Sequence, residues 1–390
     1  YGEASVEQGG LKVTTSLDLN LQEAAQASLS GEVEKEKNLE VGNGAALVTN
    51  PGTGEILVMV GSTDYFASES GKFNVILANR SPGSSIKPLN YALGFLKGTT
   101  TPATAWVDAS FCFPPYNGKS YCPQNYDAKF HGVVQTRFAL GNSFNIPAVK
   151  ELAQNTLPDF IATASAMGLT TLGDNPNRYG YSLTLGGGEV KMIDMAVAFG
   201  VFANSGIKVP LRPILKVEDA NGKVLENNTP DEKQFALEKT NLPNWDGSVS
   251  WKPTEKIILP KEVTFLISHI LLDDGARSET FGSGSILNVP GQAVSVKTGT
   301  TDDKRDNWTI GYTPSILVAV WVGNNDNSPM SPYLESGNTG AAPIWNKIMR
   351  FALAGKKAEW PQKPDDVVFT EICSLSGLIP DHNCPTRGEY

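Results

Sequence analysis

The chain has 390 residues, of which 40% are hydrophobic and 19% charged, and its net charge is −9. This length and composition are typical of one large or two modest globular domains and exclude wholesale disorder. The negative charge argues against a nucleic-acid partner. The longest uncharged apolar run, around residues 316–322, is too short for a membrane helix, and no signal peptide opens the sequence. Because it starts in the middle of a pattern, we expect a piece of a longer protein.

The first elements that the sequence predicts are a strand, Lys12–Thr15, and a helix capped by Asp18 and ended by Gly31. Four residues share the apolar face of this helix: Leu21, Ala24, Ala25 and Leu29. The charged segment 32–40 that follows is interpreted as solvated surface.

A β-hairpin is predicted next, because two apolar runs, residues 45–50 and 55–60, flank the turn sequence Asn-Pro-Gly-Thr-Gly. Residues 84–206 have a mainly helical pattern that is broken by turn clusters. Strands are predicted again within residues 208–225, with a tight turn at Asn221-Gly222.

The last part of the chain combines strands with one helix. Residues 293–297, 307–311 and 316–322 are strand-like, residues 342–353 form a helix, and residues 356–390 are interpreted as a peripheral tail. Strands at both ends with helices between them predict an α+β fold whose sheet is completed by distant segments.

The four cysteines form two local pairs, Cys112 with Cys122 and Cys373 with Cys384. Neither spacing is that of a zinc motif, and the three histidines form none, so no metal is predicted. Two short-loop disulfides, each contributing about 2–3 kcal/mol through loop entropy, fit an oxidising, extracytoplasmic compartment. Four free thiols in a cytosolic protein remain the alternative on the cysteine pattern alone.

The segment with the strongest candidate catalytic residues contains Ser84 and Lys87, just before Pro88. Proline is tolerated only in the first turn of a helix, so the helix begins close to Ser84, whose N–H then faces a ligand. Three residues apart, the two side chains share a helical face, where an unprotonated lysine can activate the serine as a nucleophile. The alternative is a surface serine and lysine. Ser205 and Lys208 have the same spacing, but they lead into a strand and should not share a helical face.

Two further motifs accompany this pair. In Ser143-Phe144-Asn145, a hydroxyl and an amide in a turn can relay a proton and bind a substrate amide, and an N-cap before Pro147 is the alternative. Ser336 and Asn338 repeat the spacing elsewhere.

The other motif is Lys297-Thr298-Gly299-Thr300, at the end of a strand-like run. The lysine and threonine side chains suit a carboxylate. Gly299 permits close backbone approach, and the N–H of Thr300 is a candidate oxyanion donor.

Taken in this order, the three motifs resemble the SxxK, SxN and KTG set of the penicillin-recognising serine acyltransferases. Residues 44–65 resemble the first hairpin of their transpeptidase domain, and residues 185–190 and 203–206 resemble landmarks of its helical lobe. Residues 11–29 look like the linker between glycosyltransferase and transpeptidase in class A penicillin-binding proteins, and residues 373–384 look like the tail that follows.

The resemblance implies a β-lactamase/DD-peptidase-like α+β fold, with an antiparallel sheet formed by N- and C-terminal segments and an all-helical lobe. It divides the chain into a linker region (1–42), a transpeptidase domain (43–356) and a C-terminal tail (357–390). Compared with a complete class A protein, we expect this chain to lack the glycosyltransferase domain and the membrane anchor. The implied location is extracytoplasmic, with the membrane reached only through that missing anchor.

The function that the resemblance implies is peptidoglycan DD-transpeptidation without a cofactor or metal. Stem peptides are the implied substrates, and β-lactam antibiotics the implied covalent inhibitors. Ser84 would attack the D-Ala–D-Ala carbonyl and form an acyl-enzyme, and Lys87 would take its proton. Ser143 would pass a proton to the leaving amine, with electrostatic support from Lys297.

The remaining motif residues would bind the substrate. Asn145 would hold the donor amide, and Thr298 and Thr300 the carboxylate, with Gly299 allowing the close approach. The N–H groups of Ser84 and Thr300 would form the oxyanion hole.

Three other functions share these motifs: a β-lactamase, a DD-carboxypeptidase that uses water as acceptor, and a non-catalytic sensor of β-lactams or cell-wall peptides. A β-lactamase of class A would carry a Glu-x-x-Leu-Asn segment, which the sequence lacks. The linker and tail features argue against a carboxypeptidase, and the full set of polar side chains argues against a sensor. The acceptor amine and the oligomeric state are left open.

Overall fold

The computed structural model describes residues 1–67, 69–116, 119–247, 250–334, 339–385 and 387–389. In these ranges the helices are α1 Glu3–Gln8, α2 Leu19–Lys35, α3 Lys87–Lys97, α4 Thr136–Gly141, α5 Asn145–Asn155, α6 Leu157–Met167, α7 Met192–Ala203, α8 Glu232–Thr240, α9 Lys261–Leu272, α10 Ser278–Phe281 and α11 Ala341–Ala352. The strands are β1 Lys12–Thr15, β2 Asn43–Thr49, β3 Ile56–Val60, β4 Ala105–Asp108, β5 Phe113–Tyr116, β6 Lys119–Tyr121, β7 Gly132–Gln135, β8 Ile214–Glu218, β9 Val224–Asn227, β10 Ser295–Thr300, β11 Asp306–Tyr312, β12 Leu317–Gly323, β13 Glu371–Cys373 and β14 Arg387–Glu389.

The centre of the fold is a five-stranded antiparallel sheet with the strand order β10-β11-β12-β2-β3. Strand β2 pairs with β12 along its whole length, and Ala46 lies opposite Val320. These strands come from opposite ends of the sequence, so distant segments complete the sheet. The predicted fold class is therefore confirmed.

Both faces of this sheet are covered, and the side chains of β2 alternate between them as strand geometry requires. Ala46 and Val48 pack with the apolar faces of α2 and α11. Ala45 and Leu47 pack on the other side, in a core that includes residues from α3, α5, α6, α7 and α9. The sheet thus separates a two-helix layer from a helical lobe.

The helical lobe confirms the mainly helical pattern of residues 84–206, but the sequence did not predict the short strands β4 to β7 within it. Among the described residues, β4 forms a two-stranded sheet with β7, and β5 forms one with β6. Val107 and Val133 face solvent in the first of these pairs. Strands this short and exposed lack the apolar alternation by which a strand is recognised.

A smaller sheet with the order β1-β8-β9 lies outside the central one. Lys12 of β1 is opposite Glu218 of β8. The predicted turn between β8 and β9 is present, with Gly222 in the left-handed conformation at φ 81°. The strands expected within residues 208–225 are therefore confirmed.

Helix α2 has the predicted cap but not the predicted end. Asp18 Oδ1 accepts a hydrogen bond from the backbone N–H of Leu21 at 3.1 Å. The helix continues past Gly31 to Lys35, so the expected end at Gly31 is wrong. A glycine within a helix costs about 1 kcal/mol, whereas burying a valine side chain contributes about 1.5–3 kcal/mol. Val33, two residues further on, is buried and explains the continuation.

The charged segment at the end of α2 is partly buried, so its interpretation as solvated surface is wrong. The carboxylate of Glu32 forms ion pairs with Lys35 and with Lys347 of α11. Glu36 Oε1 accepts a hydrogen bond from the N–H of Gly340, which precedes α11. These contacts join α2 to α11. Burial raises the pKa of Glu36 to about 7.

Both predicted cysteine pairs are present as disulfides, Cys112 with Cys122 and Cys373 with Cys384. The first lies next to the β5–β6 pair and the second in the tail after α11. None of the helices in the described ranges has the length and apolarity needed to cross a bilayer.

Replacing Glu36 by glutamine should stabilise the protein above neutral pH. Folding raises the pKa of this acid to about 7, so the unfolded chain ionises at a lower pH than the folded one. Burying the ionised Glu36 carboxylate therefore lowers the free energy of unfolding at high pH. This loss is absent below the pKa of Glu36 in the unfolded chain and complete above about pH 7. Glutamine retains the oxygen that Gly340 uses and carries no charge.

We expect Glu36→Gln to raise the free energy of unfolding in urea by roughly 1–3 kcal/mol near pH 8, and by much less near pH 5. The matched control is Glu34→Gln, at an exposed position in the last turn of α2. An equal gain at both pH values would contradict the assignment.

Candidate active site

The first motif lies where a 3₁₀ turn, Gly83–Ile86, runs into helix α3. Pro88 occupies the first turn of α3, as expected. Ser84 lies in the 3₁₀ turn just before α3, so the α-helix begins at Lys87, slightly later than the predicted start close to Ser84. It is half-buried, whereas Lys87 is completely buried. Ser84 therefore keeps contact with solvent while the lysine beside it has none.

The side chain of Lys87 is held by the turn that contains the second motif. Its Nζ donates to the carbonyl of Ser143 at 2.5 Å, to the carbonyl of Phe144 at 3.1 Å and to Asn145 Oδ1 at 2.7 Å. Among the described residues, no hydrogen bond joins Lys87 to Ser84. The shared helical face brings the two residues together, but the lysine points toward the carbonyl groups.

The electrostatic surroundings of Lys87 favour loss of its proton. Burial is the main cause, and the nearby charge of Lys297 adds to it, so the pKa of Lys87 lies well below its usual value. The carboxylates of Asp302 and Asp108 act in the opposite direction. Burial lowers the pKa of Lys297 as well, to about 7.

Ser143 lies between the two lysines. Its backbone has φ 63°, a left-handed conformation that is uncommon for a residue with a side chain. Its Oγ is 2.8 Å from Lys297 Nζ and 3.4 Å from Lys87 Nζ. Asn145 begins α5, and the N-cap is Phe144, so the alternative of a Ser143 cap is wrong.

The third motif lies on β10, the edge strand of the central sheet. Strand alternation places Lys297 and Gly299 on one face and Thr298 and Thr300 on the other. Thr300 Oγ1 accepts from Asn307 Nδ2 at 3.0 Å, which leaves the hydroxyl hydrogen available to a ligand.

The backbones of the serine turn and of β10 are in direct contact at two glycines. A Cβ atom on Gly299 would lie 2.4 Å from the carbonyl oxygen of Pro82, and one on Gly83 would lie 2.7 Å from that of Thr300. This close approach, which glycine alone permits, brings Thr300 next to Ser84.

The second Ser-x-x-Lys match is not part of the site. Ser205 lies in a turn with φ 58°, and Lys208 donates to the carbonyl of Ala166 at 2.8 Å. This agrees with the expectation that the two share no helical face. Ser336 and Asn338 lie outside the described residues.

The structure adds residues that the sequence did not indicate. Asn125 Oδ1 accepts from the backbone N–H of Asn145, and Asn145 Nδ2 donates to the carbonyl of Gln124, both at 2.7 Å. Asn125 in turn donates to Asp108 at 2.7 Å. No motif marks these residues, and the nearest signal is Cys122, two positions before Gln124.

The arrangement suits acyl transfer. It combines a partly exposed serine, a buried lysine with a lowered pKa and a hydroxyl that contacts a second lysine, so a proton has a short path between oxygen and nitrogen atoms. Within the described ranges, no group of three or more metal-ligating side chains is positioned to hold an ion.

A central antiparallel sheet with a helical lobe on one face, and a polar site where the two meet, defines the β-lactamase-like fold class. A sequence model of the penicillin-binding protein transpeptidase domain matches residues 44–350. The chain belongs to this family, as a transpeptidase domain of the class A penicillin-binding proteins.

Relatives with established names support this assignment. The chain is 32% identical over 332 residues to penicillin-binding protein 1A of Aquifex aeolicus, covering 85% of this chain and 41% of the relative. It is 29% identical over 335 residues to penicillin-binding protein 1A of Neisseria meningitidis, covering 83% and 38%. The chain thus spans less than half the length of these relatives.

Solved structures confirm the fold. Penicillin-binding protein 1A from Haemophilus influenzae superposes with a TM-score of 0.83 at 20% identity, covering 100% of this chain and 73% of the other. PonA1 from Mycobacterium tuberculosis in complex with penicillin V gives 0.71 at 22% identity, covering 92% and 90%.

Gly299→Ala should destabilise the junction between β10 and the serine turn. The added Cβ would meet the backbone oxygen of Pro82, which cannot rotate away as a side chain can. We expect a loss of about 1–3 kcal/mol in the free energy of unfolding, measured in urea. Gly180→Ala is the control, because no atom lies within 4 Å of the added Cβ and φ is −116°. Equal losses in both variants would refute the proposed close contact.

Proposed function

We propose that this chain is a serine-type D-Ala–D-Ala transpeptidase that cross-links peptidoglycan stem peptides and is acylated by β-lactams. The observation that carries the proposal is the convergence of three sequence motifs at one place. Lys87, Ser143 and Lys297 come from three separate parts of the chain and form one hydrogen-bonded set beside Ser84. Membership of the transpeptidase family supports the same activity.

In the first step, Ser84 Oγ attacks the carbonyl carbon between the two D-Ala residues. Its proton passes to the neutral amine of Lys87, for which Nζ gives up its hydrogen bond to one carbonyl and accepts one from the Ser84 hydroxyl. The bond to the terminal D-Ala nitrogen then breaks, and Ser143 delivers a proton to that nitrogen. Terminal D-Ala leaves, and the rest of the donor peptide remains as an ester on Ser84.

The other motif residues hold the donor peptide. The side-chain oxygen of Asn145 accepts from Lys87, and one N–H of its side-chain amide donates to the carbonyl of Gln124. The second N–H of this amide remains for the donor amide of the substrate. The hydroxyls of Thr298 and Thr300 bind the terminal carboxylate. The backbone N–H groups of Ser84 and Thr300 stabilise the oxyanion.

In the second step, an amine of a neighbouring stem peptide attacks the ester carbonyl. A new amide bond forms, the bond to Ser84 Oγ breaks, and the serine regains its proton. A β-lactam opens on the same serine and leaves an ester that the amine does not resolve.

The proposed setting is the outer side of the cytoplasmic membrane. Peptidoglycan substrates lie there, and two disulfides fit an oxidising compartment. We also propose that residues 43–356 form the transpeptidase unit, flanked by a linker region and a tail, in a parent protein that carries the membrane anchor.

Product analysis with a D-Ala–D-Ala peptide, with and without an amine acceptor, tests the function. Transpeptidation gives a cross-linked product only when the amine is present. Release of D-Ala with hydrolysis as the sole outcome would identify a carboxypeptidase. Rapid turnover of β-lactams would identify a β-lactamase, and a lasting adduct without peptide chemistry would identify a sensor.

Ser84 is expected to be the acylated residue. Labelled penicillin followed by peptide mapping should place the adduct between Arg80 and Lys87, and Ser84→Ala should abolish labelling, because the variant lacks the partly exposed hydroxyl that begins the Ser-x-x-Lys motif. Ser205→Ala, at the second Ser-x-x-Lys match, is the matched control and should label normally. Labelling that persists in Ser84→Ala would rule out the assignment.

Lys87→Arg should slow acylation by roughly 10²-fold or more. Arginine keeps the positive charge but does not give up its proton at working pH, so it cannot serve as the base. The measurement is the acylation rate constant with a chromogenic β-lactam, and Lys208→Arg is the control. Near-normal acylation by Lys87→Arg would remove this lysine from the base role.

A further inference from the structure

Helix α5, which begins with Asn145, cannot cap its own N-terminus. The first N–H groups of a helix have no partner within it, and a side-chain oxygen from the N-cap residue usually satisfies one of them. In α5 the N-cap is Phe144, whose side chain has no acceptor. Asn125, twenty residues earlier, supplies the oxygen, which accepts from the N–H of Asn145.

Asn125 is itself fixed by a buried carboxylate. Asp108 has no solvent exposure, and its Oδ2 accepts from Asn125 Nδ2 at 2.7 Å and from the backbone N–H of His131 at 3.1 Å. His131 Nδ1 lies 2.7 Å from the same oxygen. The imidazole also stacks on Phe144, with 3.8 Å between ring centroids.

The segment that carries Asn125 is tied at both ends. Asp108 ends β4 and lies opposite Gly132, the first residue of β7. The chain between them is therefore held at both ends by the pairing of these two strands. The disulfide between Cys112 and Cys122 closes a shorter loop within this segment, and Cys122 lies close before Asn125 in the sequence. Asn125 therefore reaches Asn145 from a constrained loop.

We propose that Asn125, held by Asp108 and His131, is a positioning residue that fixes Asn145 for contact with the donor amide of the substrate. This inference rests on the proposed function of Asn145. Gln124 belongs to the same arrangement, because its carbonyl accepts the side-chain amide of Asn145. Two neighbouring residues thus fix the backbone and the side chain of Asn145 separately.

The test compares two β-lactams in the full chain. Benzylpenicillin carries an acylamide that can bind Asn145, whereas a carbapenem such as imipenem has a hydroxyethyl group in its place. We expect Asn125→Ala to lower the second-order acylation rate constant about tenfold with benzylpenicillin and less than about threefold with imipenem. Each variant's ratio of the two constants does not depend on how much of the protein is active, so partial misfolding does not imitate the effect.

Reference variants distinguish the possible failures. Asn145→Ala should show the same selectivity more strongly. If it does and Asn125→Ala does not, the positioning role is wrong, although the substrate contact stands. If Asn145→Ala itself shows no selectivity, the proposed donor-amide contact fails and the inference fails with it.

A second set of variants tests whether the contact between His131 and Asp108 holds Asn125 in place. His131→Asn places an amide nitrogen where Nδ1 lies and should keep the wild-type ratio, whereas His131→Ala should behave like Asn125→Ala. The control is Asn204→Ala, a buried amide that donates to the carbonyl of Pro51 and has no contact with Asn145. The proposal is overturned if Asn204→Ala shifts the ratio as much as Asn125→Ala does. It is also overturned if His131→Asn shifts the ratio as much as His131→Ala does, because either result would show that a general loss of packing is the cause.

Discussion

Two lysines whose side chains are almost without solvent contact meet at the hydroxyl of Ser143. Lys87 is 0% exposed and Lys297 is 2% exposed. Two positive charges beside the same hydroxyl repel each other, and burial deprives both of stabilising contact with water. At least one of the two amines is therefore favoured in its neutral form. The carbonyl groups around Lys87 partly compensate for the missing water. The need to place these groups in one small volume explains why an edge strand, a helix start and a tight turn all converge here.

The elements that could be predicted are those whose pattern is local. The hairpin of β2 and β3 and the three strands near the C-terminus have strong apolar runs with turn residues between them, and all are present. The end of α2 and the burial of Glu36 could not be predicted, because they depend on the burial of Val33 and on the contact with Gly340, more than three hundred positions later. A glycine and a run of charges are local signals that tertiary packing overrode.

The candidate site shows the same division. The three motifs were visible because each is a short pattern of chemically distinctive residues. The direction in which the Lys87 side chain points could not be predicted. The spacing places Lys87 beside Ser84, but its hydrogen-bond partners are carbonyl groups of the turn before α5. Asn125 and His131 were missed because their importance lies in one hydrogen bond and one ring contact across the fold. Polar residues used in this way leave no pattern along the chain.

The order of strands in the central sheet has a consequence for how the chain reaches its folded state. Strand β2 is an inner strand of the sheet, yet its neighbour β12 is separated from it by most of the sequence. Until β12 is available, one long edge of the apolar β2–β3 hairpin has no strand beside it and is open to pairing with other chains. Closing so long a loop is slow, because its entropic cost precedes the contacts that repay it. Strands β10, β11 and β12 follow one another along the chain and pair with their sequence neighbours, so the long-range step that completes the sheet is the pairing of β12 with the β2–β3 hairpin.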